Sequence, residues 1–354
     1  MTESVYIALA GAGLIGRQHA EVIRSMSPEV ELHAIVDPSL DGKSFALNLG
    51  LDWFPTLEDL FAADRPDGIV VATPNQVHVD NALTCIEQSI PVLVEKPIAT
   101  TVAESVKIVD ASNKSKVPVL VGHHRRHNPI IQRAKKIIEA GLLGKITSAH
   151  SQCWLLKPED YFSQDWRRRD GAGPVMVNAI HDLDLLRFLC GDVATVHAIS
   201  SNSARGFETE DTAVVLLRFA SGALATLNIS DAVAAPWSWE LTSRENPIYD
   251  VTAESCYLIG GNLASLSLPD LRIWRHPNSG SWKDPIEFEL ESVSYGDPLV
   301  AQIKHFAAVI RGEMAPEVSA SEGMKSLALA EAILMSAERG EIISMERDLG
   351  LELD

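Results

Sequence analysis

The stretch "VYIALAGAGLIGRQHAEVIR", Val5 to Arg24, decides the fold. Val5–Ala10 is continuously apolar, the pattern of a strand buried on both faces of a parallel sheet. Gly11, Gly13 and Gly16 follow as G-x-G-x-x-G, with Leu14 and Ile15 inside the motif and a helix-forming segment behind it. Glycines are common in turns, but a strand before and a helix after make this a phosphate-binding βα turn. Gly11 permits the tight turn, Gly13 lets backbone approach a pyrophosphate, and Gly16 lets the helix pack closely. The helix start then offers unpaired N–H groups and the positive end of its dipole. A second apolar run, "ELHAIVD", ends in Asp37, about twenty positions after Gly16, where a carboxylate accepts from ribose hydroxyls. A carboxylate repels a 2′-phosphate, and "DPSL" offers no adjacent arginine, so NAD is expected rather than NADP.

Outward from this unit the rhythm repeats. "PDGIVVATPNQVH" reads as a strand at Ile69–Thr73, a turn and a helix, and "PVLVEKP", "TVAESVKIVDASNKS" and "VPVLVGHH" continue as strand, helix and strand. Regular alternation implies a doubly wound parallel sheet. Thr73, Pro74 and Asn75 occupy one strand-end turn, and Glu95, Lys96 and Pro97 another, both at the edge where open α/β sheets bind ligands. Pro97 disfavours helical geometry at Lys96 and holds it extended. His78, just inside the following helix, joins the cofactor-binding candidates.

These motifs, with the later "GAGPVMVNAIHDLDLLRFLCG", resemble the glucose–fructose oxidoreductase/inositol dehydrogenase (Gfo/Idh/MocA-type) family. "AGAGLIG", "ATPNQVH", "VEKP" and the histidine segment stand in the family's order as far as Gly191. The resemblance implies that Lys96 contacts both nicotinamide and substrate hydroxyls, and that His181 is the catalytic acid/base. One departure stands out. Many relatives carry an aspartate or asparagine four residues before the histidine, where this chain has Val177. Asn178, three before, reaches the same face of an α-helix and is the candidate to orient His181 or bind substrate. Asp184 matches the family's acidic position after the histidine.

After "HHRRHNP" the βαβ rhythm stops. A basic helix, "PIIQRAKKIIEAGLLG", precedes a strand, a glycine-bearing loop "DWRRRDGAGP" and the helix of His181. Beyond lie "VATVHAISSNS", "DTAVVLLRFASGALATLNISD", "SWELTSR", "YLIGG", "LRIWRH" and "IEFELESV", all read as β-rich, with "FASGALATL" a hairpin; two helices close the chain. The expected architecture is α/β: a dinucleotide-binding Rossmann domain over 1–124 and an α+β domain over 125–354. The second carries a large, mostly antiparallel, open-faced sheet, and the last helices are placed to pack back on the first domain. Arg126, Trp166 and Arg167 are candidates for lining the substrate pocket, since tryptophan stacks on sugar rings and arginine binds hydroxyl-rich or anionic groups.

Composition narrows the function further. With 354 residues and 46% hydrophobic content, the chain can build two cores. A formal net charge of −18 disfavours nucleic acid and anionic membranes as partners. No apolar run approaches the roughly 18 residues of a membrane span, and no basic, apolar leader opens the sequence. Cys85, Cys153, Cys190 and Cys256 are widely spaced, as expected of reduced thiols in a cytoplasmic protein. His123, His124 and His127 lack a completing carboxylate spacing, so no metal is expected. The expected function is an NAD-dependent dehydrogenase acting on a secondary alcohol of a sugar, cyclitol or polyol, assembled as a homodimer or homotetramer. A non-enzymatic dinucleotide sensor, or a sugar oxidoreductase with tightly bound cofactor, are the alternatives.

Overall fold

The computed structural model describes residues 3–277 and 280–353. Two compact units divide the chain, one of residues 1–127 and 297–327, the other of 128–296 and 328–354.

In the first unit strands and helices alternate: β1 (Val5–Ala10), α1 (Leu14–Ser25), β2 (Val30–Val36), α2 (Leu40–Leu49), β3 (Asp52–Phe54), α3 (Leu57–Ala63), β4 (Gly68–Val71), α4 (His78–Glu87), β5 (Val92–Val94), α5 (Val102–Ser115) and β6 (Val119–Val121). The strands pair, all parallel, in the order β3-β2-β1-β4-β5-β6. Winding therefore reverses between β1 and β4, which opens a crevice beyond their carboxyl ends. Ala10 pairs with Val71, so the Gly11 and Thr73 turns leave the sheet at the same height. Every residue of β4, β5 and β6 is buried, as their unbroken apolar sequence requires. Side-chain caps set the helix starts: Ser39 accepts from Gly42 N, Thr56 from Asp59 N and Thr101 from Glu104 N.

The second unit opens with α6 (Pro129–Glu139), capped by Asn128, and β7 (Ile146–Trp154). A π-helical turn over Val175–Ala179 runs into α7 (Ile180–Cys190). Next come β8 (Val193–Ser201), β9 (Thr212–Phe219), β10 (Leu224–Ser230), α8 (Trp239–Thr242), β11 (Tyr257–Gly261), β12 (Ser265–Leu268), β13 (Arg272–Arg275) and β14 (Glu287–Leu290). The chain then returns to the first unit with α9 (Pro298–Ile310), which packs on α1. A Cβ on Gly68 would lie 2.5 Å from Ile310 Cδ1, so the glycine that opens β4 lets the α9 side chains pack closely. After α10 (Ala320–Arg339), β15 (Ile343–Ser344) and α11 (Met345–Leu349) end the described chain.

Nine strands form the second sheet in the order β14-β13-β12-β11-β7-β10-β9-β8-β15. Among the described residues, only the β7–β10 pair of this sheet is parallel. Period-two alternation is clear on β9: Ala213, Val215, Leu217 and Phe219 are buried, while Val214 and Leu216 are exposed. Two readings need correction. "SWELTSR" is not a strand but contains the single-turn helix α8, because Ser238 caps Leu241 N and Trp239 is buried. The Val175–Ala179 segment is π-helical rather than the first turn of an α-helix.

Candidate active site

Two glycines of the candidate nucleotide turn leave no room for a side chain. Gly11 has φ +96°, and a Cβ there would sit 2.5 Å from Ala72 O. A Cβ on Gly16 would lie 2.0 Å from Gly11 O. Gly13 has nothing within 4 Å of its Cβ position, so its surface is open to a close-approaching group. It is also the N-cap of α1, with no side-chain cap bond and no acidic residue in the first turn. No side chain of the helix's own first turn therefore answers its positive end. Leu14 is 83% exposed and Ile15 half-buried, an apolar lip beside the turn.

Asp37 stands just past β2. Ala12 N donates to its Oδ2 at 2.8 Å, and Ser39 N to its Oδ1 at 2.8 Å. Partial burial would raise its pKa, but these bonds, the Ser39 hydroxyl and the charge of Arg17 bring it below the ordinary value. The result is a carboxylate held against the glycine turn. Open glycine surface, unanswered helix N–H groups and a fixed acid together fit a dinucleotide.

The two strand-end turns are joined by His78. Its ring is buried, with Nδ1 2.8 Å from Pro97 O and Nε2 2.9 Å from Thr73 O. This histidine thus sits between the two turns, with a ring nitrogen within hydrogen-bonding reach of a carbonyl of each. Thr73 Oγ1 accepts from Asn81 Nδ2 at 3.1 Å, while Pro74 and Asn75 are exposed. The Lys96–Pro97 peptide is cis, and Lys96 is half-buried. Glu95 is turned inward: its Oε1 lies 2.8 Å from His19 Nε2 of α1. Arg126 is buried, and its guanidinium donates to Glu322 Oε2 at 2.8 Å.

In the second unit, Asn178 lies in the π-helical turn and His181 in the first turn of α7. The wider π turn replaces the α-helical spacing expected between them. Asn178 Oδ1 is buried with no hydrogen-bond partner among the described residues, an acceptor suited to a ligand hydroxyl. His181 is buried within α7. Its neighbour Asp182 accepts from the Tyr257 hydroxyl of β11, which fixes α7 against the sheet. Glu210 anchors the start of the segment. Its Oε1 accepts from Val175 N at 3.0 Å and its Oε2 from Thr209 Oγ1 at 2.9 Å. Burial pushes its carboxyl pKa up, against the pull of those bonds. A Cβ on Gly173 would lie 2.1 Å from Glu210 Oε1, so "GAGP" supplies the room for that anchor.

Trp166 is 55% exposed, and Arg167 stacks over the Tyr161 ring at 4.0 Å. Lys157, buried, also faces that ring at 4.7 Å, with its amine 3.4 Å from Asp231. Burial lowers the Lys157 pKa, and Asp231 opposes the shift.

Two family models match. Residues 5–123 match an oxidoreductase family with an NAD-binding Rossmann fold, and residues 131–247 match the GFO/IDH/MocA C-terminal domain. The chain belongs to the Gfo/Idh/MocA oxidoreductases. Inositol 2-dehydrogenase 3 of Saccharopolyspora erythraea is 25% identical over 348 residues, 96% of this chain and 95% of that protein. The 2,7-anhydro-N-acetylneuraminate hydratase of Escherichia coli K12 is 30% identical over 236 residues, 64% of this chain; the match spans 62% of that protein's length. Among solved structures, the WlbA dehydrogenase of Bordetella pertussis, in complex with NADH and UDP-GlcNAcA, superposes with a TM-score of 0.80 at 26% identity. That comparison covers 100% of this chain and 99% of WlbA.

Within this Gfo/Idh/MocA chain, sequence reasoning missed three structural participants. His19 is one α-helical turn past the glycine motif, a position that marks a helix face rather than a ligand. Arg17 comes from α1, not from "DPSL"; its Nε donates to Ala12 O at 2.9 Å and it pairs with Asp41 at 2.5 Å. Glu210 lies beyond β8, and only the paired glycines before Pro174 hinted that something approaches there.

Proposed function

We propose that this chain is an NAD-dependent dehydrogenase acting on a secondary alcohol of a sugar, cyclitol or related polyol. The open Gly13 surface at the uncapped start of α1, with the Asp37 carboxylate beside it, carries the cofactor half of this reading. The backbone of Gly11–Gly16 would hold the pyrophosphate, Asp37 the adenosine ribose, and the Thr73–Asn75 and Glu95–Lys96 turns would border the nicotinamide. A bound nicotinamide supplies a two-electron acceptor for hydride.

In this reading the alcohol carbon loses its hydrogen with the bonding pair, the hydroxyl loses its proton, and a carbonyl forms. His181 accepts that proton, a role suited to an imidazole and worth about 10²–10⁴-fold. Lys96 hydrogen-bonds the same oxygen and stabilises the charge developing on it. Asn178 offers its unpartnered amide oxygen to a substrate hydroxyl, while Trp166 and Arg167 present a ring-stacking surface. The inositol dehydrogenase relative supports a cyclitol or sugar as substrate.

Reduced-nicotinamide absorbance, followed over a panel of sugars and cyclitols with NAD and then NADP, tests this function. Appearance of signal with NAD and a weaker response with NADP is expected. A clear NADP preference would overturn the cofactor assignment, and no turnover with any polyol would leave the sensor reading. A hydratase among the relatives favours one further reading: a retained nucleotide and no net redox. Nucleotide co-purifying with the protein, with product formed but no absorbance change, would establish it.

The partner we propose for the open sheet face is a second copy of the chain. Val214, Leu216, Leu224 and Leu258 are exposed there on neighbouring strands, an apolar patch of the kind that marks a protein–protein contact. In a chain of net charge −18, like copies repel, and only a patch poor in acidic groups can pair with itself.

A further inference from the structure

Glu95 is a buried acid with contacts on three elements of the first unit. It follows β5 directly and is 5% exposed. Its Oε1 lies 2.8 Å from Nε2 of His19, itself fully buried in α1. Its Oε2 accepts from the backbone N–H of Lys96 at 3.2 Å. At the end of β6, Gly122 N donates to Val94 O at 2.7 Å. A Cβ on Gly122 would sit 2.9 Å from the Glu95 carboxyl carbon, so the glycine makes the chamber in which the carboxylate lies. Burial alone would raise the Glu95 pKa, yet the hydrogen bond and charge of His19, with the charges of His124 and Lys96, hold it down at about 2. An inward-facing carboxylate, clamped between helix and strand ends, is a costly thing to build as mere packing.

We infer that Glu95, clamped by His19, is the positioning residue for Lys96: its carboxylate fixes the Lys96 backbone and supplies the counter-charge that keeps the Lys96 side chain an ammonium. This rests on the proposed role of Lys96 at the reacting oxygen. An amine that lost its proton would be a poorer donor to a developing oxyanion, so the carboxylate sets the upper pH limit of the site. The charged or titratable groups that face it are His19 from α1, Lys96 from the end of β5, and His124 from the turn after β6.

Competitive labelling tests the inference without any substrate. The full-length protein is acetylated with trace acetic anhydride across a pH series, and peptide mapping reads the titration of the Lys96 amine. Glu95→Gln keeps the shape and hydrogen-bonding capacity and removes the charge. Its Lys96 midpoint is expected to fall by about one pH unit or more, as loss of a close opposite charge dictates. His19→Gln keeps a donor to Glu95 but removes the imidazole; its midpoint is expected to stay or rise. Coincident midpoints in wild type and Glu95→Gln, or a fall in both variants, overturn the inference. Should Glu95→Gln fail to fold, His19→Gln alone decides: a Lys96 midpoint that drops contradicts the counter-charge. Lys96→Ala tested for turnover separates the two levels. Retained turnover defeats the role of Lys96 itself, whereas lost turnover with an unmoved labelling midpoint defeats only the part given to Glu95.

Discussion

At the scale of single residues, Gly16 and Glu95 concentrate the most consequence. The Cβ of a Gly16→Ala variant would fall 2.0 Å from the Gly11 carbonyl oxygen, a backbone atom with no side chain to swing aside. Either the turn moves or α1 lifts, so NADH affinity should fall by roughly tenfold or more and the melting temperature with it. Unchanged NADH titration would show that the turn does not hold pyrophosphate. Glu95 makes a pH prediction. Its folded pKa of about 2 lies below the ordinary 4.5, so the stabilisation is complete above pH 4.5 and is lost as pH falls towards 2. The upper bound is about 3 kcal/mol, since each tenfold change in proton affinity is worth about 1.4 kcal/mol. Urea midpoints measured from pH 6 down to pH 3 should fall steeply for wild type and more shallowly for Glu95→Gln. Parallel slopes would place the acid sensitivity elsewhere.

Among elements, α7 and the nine-stranded sheet carry the testable content. Helix α7 is buried almost throughout, and the Tyr257 hydroxyl bonded to Asp182 ties it to β11. Removing that hydroxyl in Tyr257→Phe leaves a buried carboxylate one donor short, which should cost about 1–3 kcal/mol. The urea midpoint of Tyr257→Phe should fall, and a double variant with Asp182→Asn should be less destabilised than the two singles summed. Strict additivity would deny the coupling. The sheet's open face makes a prediction about assembly. Leu216→Glu and Leu224→Glu together place charges on side chains already 50% and 53% exposed, so the fold should survive while the proposed self-association on this face is lost. Light scattering that still finds the wild-type mass would move the interface elsewhere.

For the whole molecule, legibility tracks the range of the interactions involved. The parallel sheet can be read because its central strands β4, β5 and β6 are short, wholly apolar and set between glycine and proline signals, all local. The open-faced sheet can be read as a class from the alternation in β9 and the "ASG" hairpin. Its strand order cannot: β7 pairs in parallel with β10, with Leu224 set against Ser148, and nothing local encodes such a pairing. Strand β12 escapes notice because "SLSL" carries little hydrophobic signal, and α8 because one turn is too short for periodicity to show. Candidate site residues divide in the same way. Gly11, Gly16 and Lys96 stand in contiguous motifs, whereas His19 and Glu210 act through partners distant in sequence.

The central proposal is chemical: Lys96 and His181 are each needed for alcohol oxidation by a bound nicotinamide. Stopped-time assays of reduced-nicotinamide absorbance on the best polyol from the panel, comparing wild type, Lys96→Ala and His181→Asn at fixed pH, test it most directly. Each variant should keep NADH binding within about threefold, while turnover falls by roughly 10²-fold or more. Turnover at the wild-type rate in either variant would contradict the claim.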